Sequence, residues 1–316
     1  MKEKLFQQLT AIINKVNTIL LVGHAHPDQD AIGSILALQL YLSCLGKKVV
    51  GYLPEAIPDY ATFLPASENL TFDVGVFNSR WDLIIFLDCS DLSRANLTSE
   101  KILGSLTVAF DHHVSNLNFA DFNIIDVRAS STCEIVYQYF SALNYPLDKN
   151  IATCLLAGIL SDTGGFSNAA TTSNSILIAS DLVKKGAKIY QIINYVMRNK
   201  SLAGLRLWGL ALSRLIINEE LNIAYTYITD NDFYQFKIKE EEIDGLSNFL
   251  NVIVEVAAVA VFRVYPDKLK ASWRTKRDDI DLNKFCKLFG GGGHQKAAGF
   301  VVNCQVIEKE GNLMVL

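Results

Sequence analysis

Short apolar runs alternate with longer segments of helical periodicity through the first half of the chain. Four runs have the length of a buried strand: Asn17–His24, Lys48–Leu53, Asp82–Asp88 and Leu106–Phe110. Three segments carry apolar residues at helical spacing: Ala31–Leu45, Thr132–Leu143 and Ile151–Leu160. Apolar strands that alternate with helices are typical of a parallel sheet with helices on both faces. The pattern therefore predicts an α/β domain over residues 1–186.

The pattern changes after residue 186. Helical periodicity continues from Ile189 to Ile217, and we place a helical linker at residues 187–205. The later segments with strand character are Leu221–Ile228, Val252–Val264, Leu269–Arg274 and Ala298–Val302, and a short helix is predicted at Asp281–Phe289. These elements predict a smaller α+β domain over residues 206–316, with the active site in the cleft between the two domains.

Composition and charge narrow the class of protein. Half of the 316 residues are hydrophobic, which excludes intrinsic disorder and is enough for two packed cores. The 29 Lys and Arg against 33 Asp and Glu give a net charge of −4. Proteins that coat long nucleic acids are usually basic, so a nucleic-acid substrate should be short and no long duplex should bind.

The sequence also indicates a compartment. The charged N-terminal stretch has no cleavage site, and the apolar run Val252–Phe262 is too short to span a bilayer, so we expect no signal peptide and no membrane role. The six cysteines are far apart and lack CxxC spacing, which is typical of reduced, buried thiols. We therefore expect a cytoplasmic protein; its oligomeric state, including a homodimer, stays open.

Carboxylates and imidazoles follow the ends of the apolar strands. His24, Asp28 and Asp30 follow the first run, and Asp88 ends the third. Ligands of open α/β sheets bind at the carboxyl ends of strands, and this mixture of nitrogen and oxygen donors suits Mn²⁺ or a similar ion. The alternative is that Asp28 and Asp30 only begin a helix, which accounts for one aspartate but not for both with His24. His26 has no assigned role.

Two later segments add to this set. Asp111, His112 and His113 follow the fourth run, and Asp162 precedes two glycines at a helix end. For Asp162 alone, a simple helix-terminating turn is an equal alternative. Taken together, the four segments supply enough ligands for two metal ions that share a carboxylate. Thr132 is either a support for these ligands or the N-cap of its helix.

A run of four glycines, Gly290–Gly293, precedes His294 and Lys296. Glycines allow a backbone to approach a ligand closely and to direct N–H groups at a phosphate. The alternative is a flexible hinge, but the basic side chains that follow favour binding of an anion.

In this order the motifs resemble those of the DHH phosphoesterase superfamily, which is named for the triplet at 111–113. The sequence from Phe289 to Phe300 resembles the signature of the DHH-associated C-terminal domain, and the size and layout are most similar to the nano-RNase type. Ser272 and Arg274 resemble the Ser-x-Arg of that domain. Trp273 between them either stacks on a base or packs in the core.

The resemblance implies a role for each matching residue. One Mn²⁺ would be held by His24, Asp28 and Asp88, and a second by Asp30, Asp88, His112 and Asp162, with Mg²⁺ or Co²⁺ as substitutes. Asp88 would bridge the ions, His113 would act on the substrate phosphate, and Asp111 would orient an imidazole. Substrate would contact Arg94, Ser272, Arg274, Gly291, Gly292, Gly293 and His294. Arg94 could equally be a surface arginine, and Arg198 either lines the cleft or caps a helix.

The resemblance further implies a Mn²⁺-dependent phosphoesterase, an enzyme that hydrolyses phosphoric esters. It would degrade RNA oligonucleotides of two to five nucleotides, or short DNA, to mononucleotides, and 3′-phosphoadenosine 5′-phosphate (pAp) to AMP. The two metals would lower the pKa of a shared water and so supply hydroxide at neutral pH. The alternatives are a phosphodiesterase for linear or cyclic dinucleotides such as pApA, a RecJ-like single-strand exonuclease, and a nucleotide-binding regulator without catalysis. A family II pyrophosphatase is not expected, because that class lacks the glycine signature that this chain has before His294.

Overall fold

The computed structural model describes residues 2–197, 200–309 and 312–315. The chain divides into two compact units, Met1–Asn199 and Lys200–Leu316. The expected linker over residues 187–205 includes this boundary, and its limits stay a prediction. Arg198 lies outside the described residues.

A six-stranded, fully parallel sheet forms the centre of the first unit. Its strands are β1 (Thr18–Val22), β2 (Lys48–Tyr52), β3 (Leu70–Thr71), β4 (Leu83–Leu87), β5 (Leu106–Asp111) and β6 (Phe122–Ile125). Their order across the sheet is β3-β2-β1-β4-β5-β6. The central strands β1, β4 and β5 are therefore neighbours, and their carboxyl ends meet at one edge, as the apolar runs predicted.

Both faces of this sheet are covered, but by different elements. The α-helices of the unit are α1 (Lys2–Lys15), α2 (Gln29–Cys44), α3 (Thr132–Ala142), α4 (Lys149–Asp162), α5 (Ser173–Lys184) and α6 (Ile189–Ile192). All six contribute to the core that contains Ile19 and Leu21 of β1. The other face, with Leu20 and Val22, packs against short 3₁₀ segments around Phe77 and Ala95. Successive residues of β1 thus enter two different cores, which explains why the central strands are apolar at most positions.

The second unit is an α+β structure around a mixed sheet. Its strands are β7 (Ile216–Asn218), β8 (Ile223–Thr229), β9 (Ala258–Val264), β10 (Lys268–Arg274), β11 (Gly292–His294) and β12 (Ala297–Asn303), and a separate hairpin consists of β13 (Val306–Lys309) and β14 (Asn312–Val315). Only β8 and β9 are paired in parallel. The helices are α7 (Leu202–Ser213), α8 (Asp230–Phe236), α9 (Leu246–Leu250) and α10 (Leu282–Lys287).

For two elements predicted after residue 186, the predicted limits were wrong. The helical segment Ile189–Ile217 is a series of shorter helices, and its last residues belong to β7. The strand predicted from Val252 begins only at Ala258, since Val252 and Val254 are 61% and 78% exposed. An apolar run without a buried face does not form a strand, and pattern alone could not reveal that exposure.

The thiols and the membrane expectation can also be compared with the structure. Four cysteines are buried, but Cys44 is exposed and Cys304 is half-buried, so the expectation of uniformly buried thiols was wrong. Within the described ranges no helix combines the length and the apolar character needed to cross a bilayer.

Candidate metal centre

The predicted ligands of the first unit lie together at the carboxyl edge of its sheet. His24 follows β1, Asp88 follows β4, and His112 and His113 follow β5. Asp162 is the last residue of α4. Because β1, β4 and β5 are adjacent and parallel, turns that are far apart in the sequence meet at this edge.

Asp88 is at the centre of this arrangement. Its carboxylate is 3.3 Å from Nε2 of His24, 3.5 Å from Nδ1 of His113 and 3.7 Å from Nε2 of His112. The residue is only 2% exposed, and its backbone has the left-handed φ of +57°. A non-glycine residue in this region is strained by about 1 kcal/mol or more, and such strain is often found at functional sites.

One group of potential metal ligands consists of His24, Asp28 and Asp88, whose ligand atoms lie within 4.8 Å of one another. Nδ1 of His24 is 2.7 Å from the carbonyl oxygen of Ala25, which leaves Nε2 directed at the carboxylates. Asp28 is also the N-cap of α2, because its Oδ1 accepts hydrogen bonds from the N–H groups of Asp30 and Ala31. The capping alternative therefore holds for Asp28 alongside its place in the group.

A second group consists of Asp30, His112 and Asp162. Nε2 of His112 is 3.2 Å from Asp162 and 4.0 Å from Asp30. Its Nδ1 is 3.4 Å from the carbonyl oxygen of Ala129, so this imidazole is oriented in the same way as that of His24. Histidine ligands of metals usually have the second ring nitrogen fixed by such a partner.

Asp30 is fixed by the first turn of α3. Its Oδ2 accepts a hydrogen bond from the N–H of Thr132 at 2.6 Å, and its Oδ1 accepts one from the N–H of Cys133 at 2.8 Å. The helix N-terminus thus stabilises the charge of a fully buried carboxylate. Each oxygen keeps a further lone pair that a metal ion could use.

Asp111 accepts hydrogen bonds through both of its carboxylate oxygens. Its Oδ1 accepts from the N–H groups of His112 and His113 and lies 2.7 Å from Nδ1 of His113, and its Oδ2 accepts from the amide of Asn116 at 2.7 Å. These contacts fit the predicted orienting role rather than direct catalysis. Asn116 was missed by sequence reasoning, and its position five residues after Asp111 was the only signal.

The imidazoles are surrounded by negative charge. Burial alone would lower the pKa of His24, but the Asp88 and Asp28 carboxylates outweigh it and raise that pKa to about 9. Burial likewise opposes the charged form of His112 and His113, and nearby aspartates again raise both pKa values. The nearby carboxylates therefore favour the protonated form of these rings.

The carboxylates differ in their response to burial. Burial raises the pKa of Asp162 to about 6, despite the opposing hydrogen bond with His112. Burial, together with the neighbouring aspartates, also raises the pKa of Asp30. For Asp88 burial acts in the same direction, but the surrounding histidines outweigh it and hold its pKa below the usual range. Asp88 is thus the group that stays ionised between the two sets of ligands.

Two other residues near the first strand lie at the surface. Arg94 is exposed and lies in a 3₁₀ segment. The carbonyl oxygen of Arg94 accepts a hydrogen bond from the N–H of Ala25 at 2.7 Å, so the backbone of this segment holds the loop that follows β1. His26 has a φ of +54°, its side chain is 86% exposed, and it lies 2.8 Å from Glu55. It belongs to neither group of potential ligands.

The predicted substrate residues of the second unit occupy β10 and the segment after α10. Nε of Arg274 donates to the side chain of Asn248 at 2.6 Å, and Nη1 donates to the carbonyl of Trp273 at 2.8 Å. Ser272 is half-buried on the same strand. Trp273 is 8% exposed and contacts Phe285 edge-on, so core packing accounts for this residue.

The glycine run has mainly structural roles. Gly290, with a φ of +74°, lies in the turn that follows α10, and the N–H groups of Gly290 and Gly291 donate to carbonyls of that helix. The N–H groups of these two residues are therefore used within the turn, and their place in the expected phosphate nest stays a prediction. A Cβ on Gly291 or on Gly293 would lie 2.1 or 2.5 Å from a carbonyl oxygen of β12, whereas Gly292 has ordinary space.

The residues that follow the glycine run also give little support to a phosphate site. His294 at the end of β11 and Gln295 after it are exposed. The ammonium group of Lys296 lies 2.6 Å from Asp278, so its charge is already paired within this unit. Lys296 therefore gives little support to an anion site.

The family follows from comparison with known proteins. Residues 18–159 match the DHH family, N-terminal domain, and residues 220–310 match the DHHA1 domain. These matches cover most of the chain, and the first one includes all of the ligand residues described above except Asp162. The chain belongs to the DHH family.

Individual relatives are similar along most of their length. The bifunctional oligoribonuclease and PAP phosphatase NrnA of Thermus thermophilus is 29% identical over 89% of this chain and 83% of that protein. A crystal structure of an exopolyphosphatase-related protein from Bacteroides fragilis is 27% identical, with a TM-score of 0.87 over 94% of this chain and 90% of that one. RecJ of Thermus thermophilus, solved in complex with Mn²⁺, is 12% identical over 96% of this chain and 52% of that one; its TM-score of 0.55 shows a shared fold.

Proposed function

We propose that the protein hydrolyses short oligonucleotides to mononucleotides, and pAp to AMP, with two Mn²⁺ ions at the site around Asp88. As a DHH-family chain with NrnA relatives, it is a phosphoric-ester hydrolase. The observation that carries the finer proposal is the meeting of two His/Asp groups at one sheet edge, with Asp88 within reach of both.

The donor set fits a pair of divalent ions. His24, Asp28 and Asp88 would hold one ion, and a second would be held by Asp88 together with Asp30, His112 and Asp162. Imidazole nitrogen with several carboxylate oxygens suits Mn²⁺, and both ligating rings have Nδ1 close to a backbone carbonyl. When bound, such a pair activates water and neutralises the charge that develops on a phosphoryl group.

His113 supplies a proton-bearing group beside these ligands. Its Nδ1 lies 2.7 Å from Asp111, and its pKa is raised, since the hydrogen bond to Asp111 and the charge of Asp88 outweigh burial. With Nδ1 committed to Asp111, Nε2 is the nitrogen that can donate to a phosphoryl or leaving oxygen. Asp111 therefore acts through His113, and Asn116 holds Asp111 in place.

Substrate recognition is assigned to Arg94 and to the second unit. Arg274 has Nε and Nη1 held by Asn248 and by a carbonyl, which presents a pre-oriented guanidinium to a phosphate. Ser272, Gly291, Gly292, Gly293 and His294 complete the proposed contacts. The net charge of −4 agrees with substrates that are gripped at few phosphates.

The test is a comparison of kcat/KM for pAp, linear pApA and a five-nucleotide RNA at one Mn²⁺ concentration. We expect measurable turnover of pAp and of the RNA, with mononucleotide products. Hydrolysis of pApA alone would replace the proposal by a dinucleotide phosphodiesterase. Nucleotide binding without turnover of any of the three would favour a regulator without catalysis.

A further inference from the structure

Thr132, the first residue of α3, contacts carboxylates of both groups of potential ligands. Its backbone N–H donates to Oδ2 of Asp30 at 2.6 Å, and its hydroxyl donates to Oδ1 of Asp88 at 3.2 Å. The residue is fully buried, so water does not compete for these hydrogen bonds. One residue at a helix start therefore connects Asp30 of one group, through its N–H, with the Asp88 carboxylate, through its hydroxyl.

The hydroxyl is one of the groups that contact the Asp88 carboxylate and so bear on its orientation. Oδ2 lies 3.3 Å from His24, whereas Oδ1 lies 3.7 Å from His112. A bridging carboxylate needs one oxygen directed at each ion, and rotation about its last bond is broad when nothing holds it. The hydrogen bond from Thr132 to Oδ1 holds the carboxylate plane in the orientation that divides its oxygens between the two groups.

Capping of the helix does not account for this hydroxyl. The N-cap of α3 is Ser131, whose side chain accepts from the N–H of Glu134 at 3.1 Å. Glu134 in turn accepts hydrogen bonds from the N–H and the hydroxyl of Ser130. The helix start is thus complete without the Thr132 hydroxyl, whose recorded hydrogen bond goes to Asp88.

We propose that Thr132 is a positioning residue for the metal pair. Its hydroxyl orients the shared carboxylate so that both ions can bind together, and its N–H fixes Asp30 at the same time. The inference rests on the metal centre proposed above. Partners that orient metal ligands typically contribute about 10- to 100-fold to metal affinity.

Thr132→Val tests the hydroxyl, because valine has nearly the same shape and keeps the backbone N–H. Thr132→Ser is the matched control, since serine keeps the hydroxyl and loses only a methyl group. Chelator-treated full-length proteins are titrated with Mn²⁺ alone, and binding is followed by calorimetry and by the electron paramagnetic resonance signal of a coupled Mn²⁺ pair. We expect Thr132→Val to lose about 10- to 100-fold in affinity and to lose the coupled signal, with Thr132→Ser within about threefold of wild type.

The outcomes distinguish a failure of the positioning role of Thr132 from a failure of the proposed metal centre. Wild-type affinity and a coupled signal in Thr132→Val, or equal losses in Val and Ser variants, would overturn the positioning role. A wild-type protein that binds no Mn²⁺ pair would overturn the metal centre itself. Thermal unfolding of the metal-free proteins shows whether a variant is folded. If Thr132→Val does not fold, Thr132→Ala is compared with Thr132→Ser on the same two readouts and decides in its place.

Discussion

Gly158 of α4 passes so close to Asp30 that a Cβ on this glycine would lie 2.6 Å from Oδ1 of the carboxylate. The same Cβ would lie 2.4 Å from the sulfur of Cys133, whose backbone N–H holds that oxygen. Both neighbours are fully buried and cannot move into solvent. Glycine at this position therefore gives the buried carboxylate its space.

Gly158→Ala should weaken Mn²⁺ binding by about tenfold or more, because the added methyl group displaces Asp30 from the orientation set by α3. Gly33→Ala is the matched control: its Cβ would lie 2.4 Å from the carbonyl oxygen of Cys154 in the same helix pair, with no ligand among its three nearest atoms. Both variants should lose about 1–3 kcal/mol of stability from overpacking. Competition with a metal-binding dye measures the affinities, and equal losses in both variants would contradict the specific role of Gly158.

Asp88→Asn should reduce turnover of pAp by at least about 10²-fold. A residue that binds the metal ions directly should contribute no less to activity than the residues that orient such ligands. Asparagine is the informative replacement, since it tolerates the left-handed backbone. The chain itself places Asn96, Asn118, Asn144 and Asn222 in that conformation. An unchanged circular dichroism spectrum would establish that the fold is kept, and near-wild-type turnover in Mn²⁺ would contradict the bridging role.

Gly292→Ala separates a ligand contact from a structural need for glycine. The nearest atom to a Cβ at this position is 3.7 Å away, so alanine should fit with no more than a small loss of stability. If a substrate phosphate approaches this backbone, KM for pAp should rise severalfold while kcat and the unfolding temperature stay close to wild type. Gly291→Ala, where a Cβ would meet a carbonyl at 2.1 Å, should instead destabilise the second unit. Unchanged KM in Gly292→Ala would remove position 292 from the substrate contacts.

Asp232 should make the stability of the second unit depend on pH. It accepts hydrogen bonds from Arg214 at 2.5 and 3.1 Å and from the N–H of Thr229 at 2.7 Å. Burial opposes the charged form, but these donors outweigh it and lower the pKa of Asp232. A lowered folded-state pKa gives stability that is present above the unfolded value of about 3.9 and is lost as the pH falls below it.

The corresponding variant is Asp232→Asn. It should lower the free energy of unfolding by about 1–3 kcal/mol at pH 7, with a difference from wild type that shrinks towards pH 3. Urea unfolding followed by tryptophan fluorescence measures this, since Trp208 and Trp273 both lie in the second unit. A constant difference between pH 7 and pH 3 would show that the charge of Asp232 is not responsible.

The strands and the sheet edge were predictable because burial on both faces of a sheet requires runs of mostly apolar residues, which are easily recognised in the sequence. The run Leu83–Leu87 before Asp88 is apolar at every position, and the run Leu106–Phe110 is apolar except for Thr107, so the polar residues that follow each run stand out. Their parallel arrangement follows from the same pattern, so the meeting of the ligand segments at one edge could be expected.

Long-range contacts of the helices were harder to predict. The sequence left two roles open for Thr132, whose hydroxyl reaches a carboxylate 44 residues away, and it gave no sign of the space beside Gly158, which depends on how closely two helices pack. The glycine run shows the converse difficulty. Its residues look alike in sequence, yet Gly290 has open space but a left-handed φ, Gly291 and Gly293 lie against a strand, and Gly292 has room for a Cβ without a left-handed φ.

The scattered origin of the ligands also bears on how the first unit folds. In the sequence the first group extends from His24 to Asp88 and the second from Asp30 to Asp162, so no short fragment can assemble either group. An ion that binds only the finished arrangement stabilises the native state and not its precursors. Protection of the amide hydrogens of β1, β4 and β5 by Mn²⁺ would then mark the completion of this unit, and its loss on chelation would locate the part of the chain that opens first.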